Sequence, residues 1–291
     1  MKNQDGDSPY AAWRTLLALA AVAAVCLWIS WPLWSATEVA FGSMVGDNVE
    51  TPWFYDQMAR SLFSGQGLTY LHDFNHPSPV PRITDFPSVL DAVLVSPLAW
   101  FLDWPRQYGS AQGLVILVNG LGLGLLARAL GCSGPGILIA GALGAFCPPA
   151  WREIWLGRMN AAWPGLSAGA MACWLFLFTP APSWKGWLQV GIAAVLGALA
   201  VAIYPPLPLF LAPVGIGFAL CRAQSWRAWF RPLLAVGIGL ALAYPTLQEM
   251  RESPKASMPV CAAGSWRGMC HEGTAASPAH MGSPYIYELG F

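Results

Sequence analysis

Residues 87–102 read PSVLDAVLVSPLAWFL, and how this stretch is threaded decides the fold. It is apolar, but its sixteen residues fall short of the roughly 20 that cross a hydrocarbon core. Asp91 and Pro97 interrupt it, and Asp103, Trp104 and Pro105 end it. Seven other apolar stretches are span candidates: 13–34, 109–130, 134–150, 161–179, 186–203, 205–221 and 231–247. Lys and Arg concentrate on the cytoplasmic side of a membrane protein, which supplies a test. If 87–102 crosses, Arg128, Lys185, Arg222, Arg227 and Arg231 fall opposite the N-terminus, beside the long stretch that follows the first span. If it lies along the interface, those five residues join Lys2 and Arg14 on one side. The second threading is adopted. It gives seven spans, with the N-terminus cytoplasmic.

The composition agrees with a membrane protein. Only 10% of the 291 residues are charged, against about 25% in soluble domains. Between Tyr108 and Leu247 the charges are Arg128, Arg152, Glu153, Arg158, Lys185, Arg222, Arg227 and Arg231, all at breaks between apolar stretches. Eight of the fifteen acidic residues lie between Glu38 and Asp103. Zero net charge gives no reason to expect a nucleic acid partner. Tryptophans mark the segment ends (Trp31, Trp34, Trp151, Trp155, Trp184, Trp187, Trp226 and Trp229), as at headgroup level. The first apolar run follows Lys2 and Arg14, is long enough to span, and has no small-residue cleavage site after Trp34, which reads as an uncleaved signal anchor.

The expected fold class is therefore all-α, a polytopic transmembrane bundle with a large extracytoplasmic first loop carrying interfacial helices. Residues 1–34 hold the cytoplasmic N-terminus and first span, 35–107 the loop, 108–247 about six further helices, and 248–291 an irregular extracytoplasmic tail. In the loop, Thr51-Pro52 reads as a helix start and Gly65 as its stop. Between them Phe54, Met58 and Leu62 recur at helical spacing, with Asp56 and Arg60 paired on the other side. That is a short amphipathic helix of the kind that rests on a membrane surface. Tyr70 to Phe86 is rich in turn formers and reads as loop. Glycines and prolines inside the spans (Gly120, Gly122, Gly124, Gly141, Gly144, Pro208, Pro213) are read as ordinary helix packing. Cys26, Cys132, Cys147, Cys173 and Cys221 are read as small buried hydrophobes. Cys261 and Cys270, in the polar tail, are disulfide candidates.

The order of parts resembles the GT-C class of membrane glycosyltransferases, which includes oligosaccharyltransferases, protein O-mannosyltransferases and bacterial aminoarabinose transferases. The resemblance rests on Gly46-Asp47 followed by an aromatic, Ala59-Arg60 and Gly65 in the first loop. Ala127-Arg128-Ala129-Leu130-Gly131 and Ala145-Phe146-Cys147-Pro148-Pro149 carry it further. It covers about residues 10–250, by order rather than by any one motif. It implies transfer of a sugar from a polyprenyl-phosphate donor to a lipid, glycan or protein acceptor outside the cytoplasm, in the inner membrane of a bacterium. Such chemistry needs a carboxylate for the acceptor's proton and cations for the phosphate. Asp47 is the candidate base. Arg82, Arg152 and Arg158 are candidate phosphate ligands, since guanidinium binds phosphate oxygens in a fork. Glu50 and Glu153 complete the candidate substrate site, and a divalent cation is the one cofactor that Asp47 with Glu50 would suit.

Two departures stand out: the second outside loop lacks an acidic pair, and no soluble C-terminal domain follows, as in a shortened chain. Plainer readings stand beside each residue. Asp47 can cap a helix, Arg152 and Arg158 can anchor to headgroups beside Trp151 and Trp155, and Arg82 can pair with Asp85. A non-catalytic membrane protein, or the remnant of an enzyme, is the alternative to catalysis. A transporter is less favoured, because none of the seven candidate spans holds an ionisable residue at mid-membrane depth.

Overall fold

The computed structural model describes residues 9–35, 50–64, 70–71, 80–81, 89–102, 106–179, 183–223 and 225–252. Helix α1 (Pro9–Ile29) is followed by a short α2 (Trp31–Ser35). After α3 (Glu50–Ser64), a two-residue antiparallel ladder pairs β1 (Tyr70–Leu71) with β2 (Val80–Pro81), Tyr70 opposite Pro81. Next come α4 (Val89–Val95) and a 3-10 turn, Ser96–Trp100. The long α5 (Arg106–Ala129) leads to α6 (Gly134–Ala145), α7 (Pro148–Trp155), a second 3-10 turn (Met159–Ala162) and α8 (Pro164–Phe176). The chain then runs through α9 (Ser183–Ile203), α10 (Pro206–Arg222), a third 3-10 turn (Trp226–Trp229) and α11 (Phe230–Glu252).

The architecture is a helical bundle. Five of its described segments are long and apolar enough to cross a membrane: Ala12–Ile29, Arg106–Ala129, Gly134–Trp155, Trp184–Ile203 and Trp226–Gln248. Two shorter apolar helices, Pro164–Phe176 and Pro206–Arg222, fall on the other two of the seven candidate stretches. The stretch expected to span over 134–150 breaks at Phe146-Cys147, so α6 has 12 residues and α7 turns away. The span expected at 161–179 shortens to the 13 residues of α8, about 20 Å. Prolines cause both breaks: Pro148, Pro149 and Pro164 sit in first turns, where a missing N–H costs nothing but the preceding helix cannot continue. Helix α10 has 17 residues after the Tyr204-Pro205 turn. The segment at 87–102 divides into a 7-residue helix and a 5-residue 3-10 turn, neither able to cross. Helix α11 runs on to Glu252, past the expected start of the irregular tail.

Helix α5 is the axis. Twenty-four residues make it about 36 Å long. Leu33 and Trp34 lie against Gly109 and Gly113, Val22 and Cys26 against Gly120, and Leu19 against Gly124, so α1 with α2 runs antiparallel to α5. A Cβ at Gly122 would overlap the Gly165 carbonyl, and one at Gly144 would overlap the Asn119 carbonyl. These glycines are packing devices, as the sequence reading held. Helices α9 and α11 are parallel, with Gly186 beside Arg231 and Gly239 beside Ala194.

Because α6 ends and α8 begins level with Asn119, near the middle of α5, the bundle has two tiers. One tier surrounds the Ala129 half of α5. The other surrounds the Arg106 half with α2, α3, α4, α7 and the turns beside them. Tyr55, Met58, Ala92, Val95, Tyr108, Ala111, Ile154, Met159 and Trp163 share its core. We call this the capped end. Helix α3 therefore does more than rest on a surface: Tyr55, Met58 and Ala59 are buried against the bundle, while Leu62 of the expected apolar face is only half-buried.

The bundle's other end collects charge of one sign. Arg14, Arg128, Lys185, Arg222, Arg227 and Arg231 all fall there, at the start of α1, α9 and α11 and the end of α5 and α10. Cys132 and Cys221, at the same end, are exposed, which corrects the reading of both as buried; Cys26 is buried and Cys147 and Cys173 are half-buried.

Candidate functional site

The capped end is where the first loop and the hairpin of α7 meet. The structure positions some of the expected site residues and not others. Asp47, Arg82, Cys261 and Cys270 lie outside the described residues. Glu50 opens α3, and its side chain lies outside the described set. Arg152 and Glu153 sit on α7, with Arg152 Nη1 3.4 Å from Glu153 Oε1. The Arg152 side chain is 71% exposed, so this neighbour contact leaves most of the guanidinium open to a ligand. Arg158 follows Gly157, whose φ of 79° turns the chain out of α7, and its backbone N–H donates to the Glu153 carbonyl at 2.9 Å. Arg152, Glu153 and Arg158 are thus brought onto one short hairpin.

Asp56 pairs with Arg60 at 2.8 Å across one helical turn, the surface pair expected from the spacing. With Asp91 and Glu153, it is one of three carboxylates whose side chains are described, and all three are engaged.

Two polar constellations were not read from the sequence as sites. The first joins α3 to α4. Tyr55 Oη donates to Asp91 Oδ2 at 2.6 Å, with Tyr55 and Asp91 both fully buried. The Tyr108 ring meets the Tyr55 ring edge-on, centroids 5.9 Å apart. Burial pushes the Asp91 carboxyl up to about 7, against the opposing pull of the Tyr55 hydroxyl and the Ala92 N–H. Burial first, then the Asp91 charge, raises the Tyr55 phenol well above its usual value. Asp91 Oδ1 has no hydrogen-bond partner among the described residues. The pair can hold a proton near neutral pH, but it is closed off from any substrate. Its evident work is to fix α3 on α4. The sequence carried a signal, an acid inside an apolar stretch, which is costly unless partnered.

The second constellation joins the tiers. Asn119 Nδ2 donates to the Ala162 carbonyl at 2.8 Å, and the Gly165 N–H donates to Asn119 Oδ1 at 2.9 Å. One buried amide thereby satisfies a carbonyl of the turn and an orphan N–H of the first turn of α8. Irregular backbone inside an apolar body requires such a partner. Ser30 works similarly at the break between α1 and α2: its hydroxyl donates to the Cys26 carbonyl at 2.7 Å and accepts from Trp34 Nε1 at 2.6 Å. Among the described residues no group of three or more His, Cys, Asp or Glu could hold a metal ion.

No protein-family model matches the chain, and no curated protein or solved structure matches it. The class this geometry defines is a membrane-embedded helical bundle with a helical cap at one end.

Proposed function

We propose that this protein is a membrane glycosyltransferase of the GT-C kind, using a polyprenyl-phosphate sugar at its capped end. The observation that carries this reading is the convergence of first loop and second loop: α3, α4 and the α7 hairpin share one core around the Arg106 half of α5. A donor whose tail lies in the bilayer and whose phosphate lies at the headgroups would meet both loops there. Arg152 and Arg158 are the phosphate ligands on this reading, and Arg82 is a third candidate. On this reading Asp47 takes the acceptor's proton, helped by Glu50, while Asp56, Asp91 and Glu153 are engaged elsewhere. On this reading the chain threads a bacterial inner membrane seven times, and the positive-inside rule supports a cytoplasmic cationic end with the cap outside.

The same engagement of those three carboxylates favours a second reading, a non-catalytic membrane protein whose polar pairs are structural.

The deciding experiment uses membranes containing the wild type or Asp47→Asn at equal expression, each given a panel of radiolabelled polyprenyl-phosphate sugars. Transfer or donor hydrolysis by the wild type, abolished in the variant, supports the enzyme. Equal signals remove Asp47 from the chemistry, and silence from both favours the non-catalytic reading. Orientation is read separately with a membrane-impermeant maleimide in sealed vesicles. Cys132 and Cys221 should label from one side, and a cysteine placed at exposed Arg60 from the other.

A further inference from the structure

The cationic end carries six positive side chains, and none of them meets a carboxylate among the described residues. The links at this end, 130–133, 180–182 and 223–225, contain no acidic residue, and the stretch before α1 holds Asp5 and Asp7, outside the described residues. Arg222 is used internally, donating to the Ala129 carbonyl at the end of α5. Three others are not. Lys185 lies over the Trp184 ring at 5.6 Å and Arg227 over the Trp226 ring at 5.8 Å. The Arg231 guanidinium lies against Gly186, across the first turn of α9, the turn that also carries Lys185. Several cations at one end, with no carboxylate among the described residues there, make a positive field that attracts an anion. Trp184 and Trp226 are largely exposed, as rings that face a bilayer interface are.

We infer that Lys185, Arg227 and Arg231 form a docking surface for the headgroup of an anionic phospholipid, at the parallel starts of α9 and α11. Three features argue for lipid. The cations are gathered at one depth, aromatic rings lie beside them, and the helices that carry them expose apolar side chains such as Trp187, Leu188 and Leu233 just beyond. A phosphate with acyl chains satisfies all three features, whereas free phosphate satisfies only the first. This inference does not depend on the proposed catalytic activity, since it concerns the opposite end of the bundle.

The test uses the full chain reconstituted in zwitterionic phosphatidylcholine bilayers with or without phosphatidylglycerol. Thermal unfolding is followed for the wild type, for K185Q/R231Q and for R14Q, a control that removes a charge from the same end. Expected is a Tm rise of about 5 °C with the anionic lipid, at least halved in K185Q/R231Q and kept in R14Q. Equal midpoints in both bilayers would overturn the inference. So would an equal loss in R14Q, which would indicate a diffuse field, or the same rise from inorganic phosphate in phosphatidylcholine alone. Native mass spectrometry of the wild type gives an independent reading that needs no variant to fold. Retained phosphatidylglycerol in excess of its share of the bilayer supports the surface, and retention in proportion to that share refutes it.

Discussion

The two halves of α5 share glycine-mediated close packing but differ in what surrounds them. Around its Ala129 half run the unbroken helices α1, α6 and α8, and a Cβ at Gly122 would overlap the Gly165 carbonyl while one at Gly120 would overlap the Cys26 sulfur. Its Arg106 half is surrounded by broken helices and short turns: α2 packs on it as closely, the Leu33 carbonyl against Gly109, Tyr55 joins Asp91 between α3 and α4, and at the boundary Asn119 holds Ala162 and Gly165. Continuous helices satisfy their own backbone and need only close fit. Broken ones leave N–H and C=O groups that must find partners where water is scarce. The capped end, which carries the candidate chemistry, is therefore the end that depends on specific polar residues.

The contrast is best broken at the boundary between the tiers. Asn119→Leu should orphan both the Ala162 carbonyl and the Gly165 N–H, costing roughly 2–6 kcal/mol for two buried groups. Unfolding in detergent would register this as a large fall in midpoint. A midpoint unchanged in Asn119→Leu would mean the staple is incidental.

Packing predicts the next effect. Gly122→Val forces a side chain onto the Gly165 backbone and should cost about 3 kcal/mol, near the upper range for overpacking. Gly217→Ala, with open space around its Cβ position, should be within ~0.5 kcal/mol of wild type. If both variants behave alike, close approach is not what holds the first tier.

Asp91 gives a pH signature. Its carboxyl titrates near 7 when folded and near the ordinary carboxylate value of 3.8 when unfolded. As pH rises between these values the unfolded chain ionises first, so stability falls with pH, by up to roughly 1.4 kcal/mol per pH unit, and levels off above 7. Asp91→Asn should remove that slope while keeping an acceptor for Tyr55. Unfolding midpoints from pH 4 to 7 that fall identically in both proteins would exclude Asp91 as the source.

The smallest effect is expected at the surface pair. Arg60→Ala should change stability by no more than about 0.5 kcal/mol, since Asp56 and Arg60 are a solvent-facing pair one turn apart. A larger loss would show that α3 contributes through its outer face as well as through Tyr55 and Met58.

Much of this was legible in the chain. The scarcity of charge between Tyr108 and Leu247 implied an apolar helical bundle, because unpaired charges are excluded from such a core. The spacing of Asp56 and Arg60 gave a surface pair, and the positions of Arg128, Lys185, Arg222, Arg227 and Arg231 gave one cationic end. Shortness of the 87–102 stretch argued against its crossing, and it divides as helix and turn. Helix breaks at Pro148 and Pro164 carried a signal as well, yet apolar runs on either side read as single spans.

Which polar residues meet is a matter of packing. Asn119 lies 43 residues before Ala162, and Tyr55 lies 36 before Asp91. Hydropathy and spacing describe one segment at a time. They record that an acid or an amide interrupts an apolar run, but whether its partner is solvent, lipid or a distant backbone group depends on how the segments pack. The sequence by itself determined an apolar helical body with charge sorted along its length, since both follow from local burial costs. Packing alone determined the two tiers and the polar staples between them, because a hydrogen bond needs both partners within about 3 Å in space, whatever their distance along the chain.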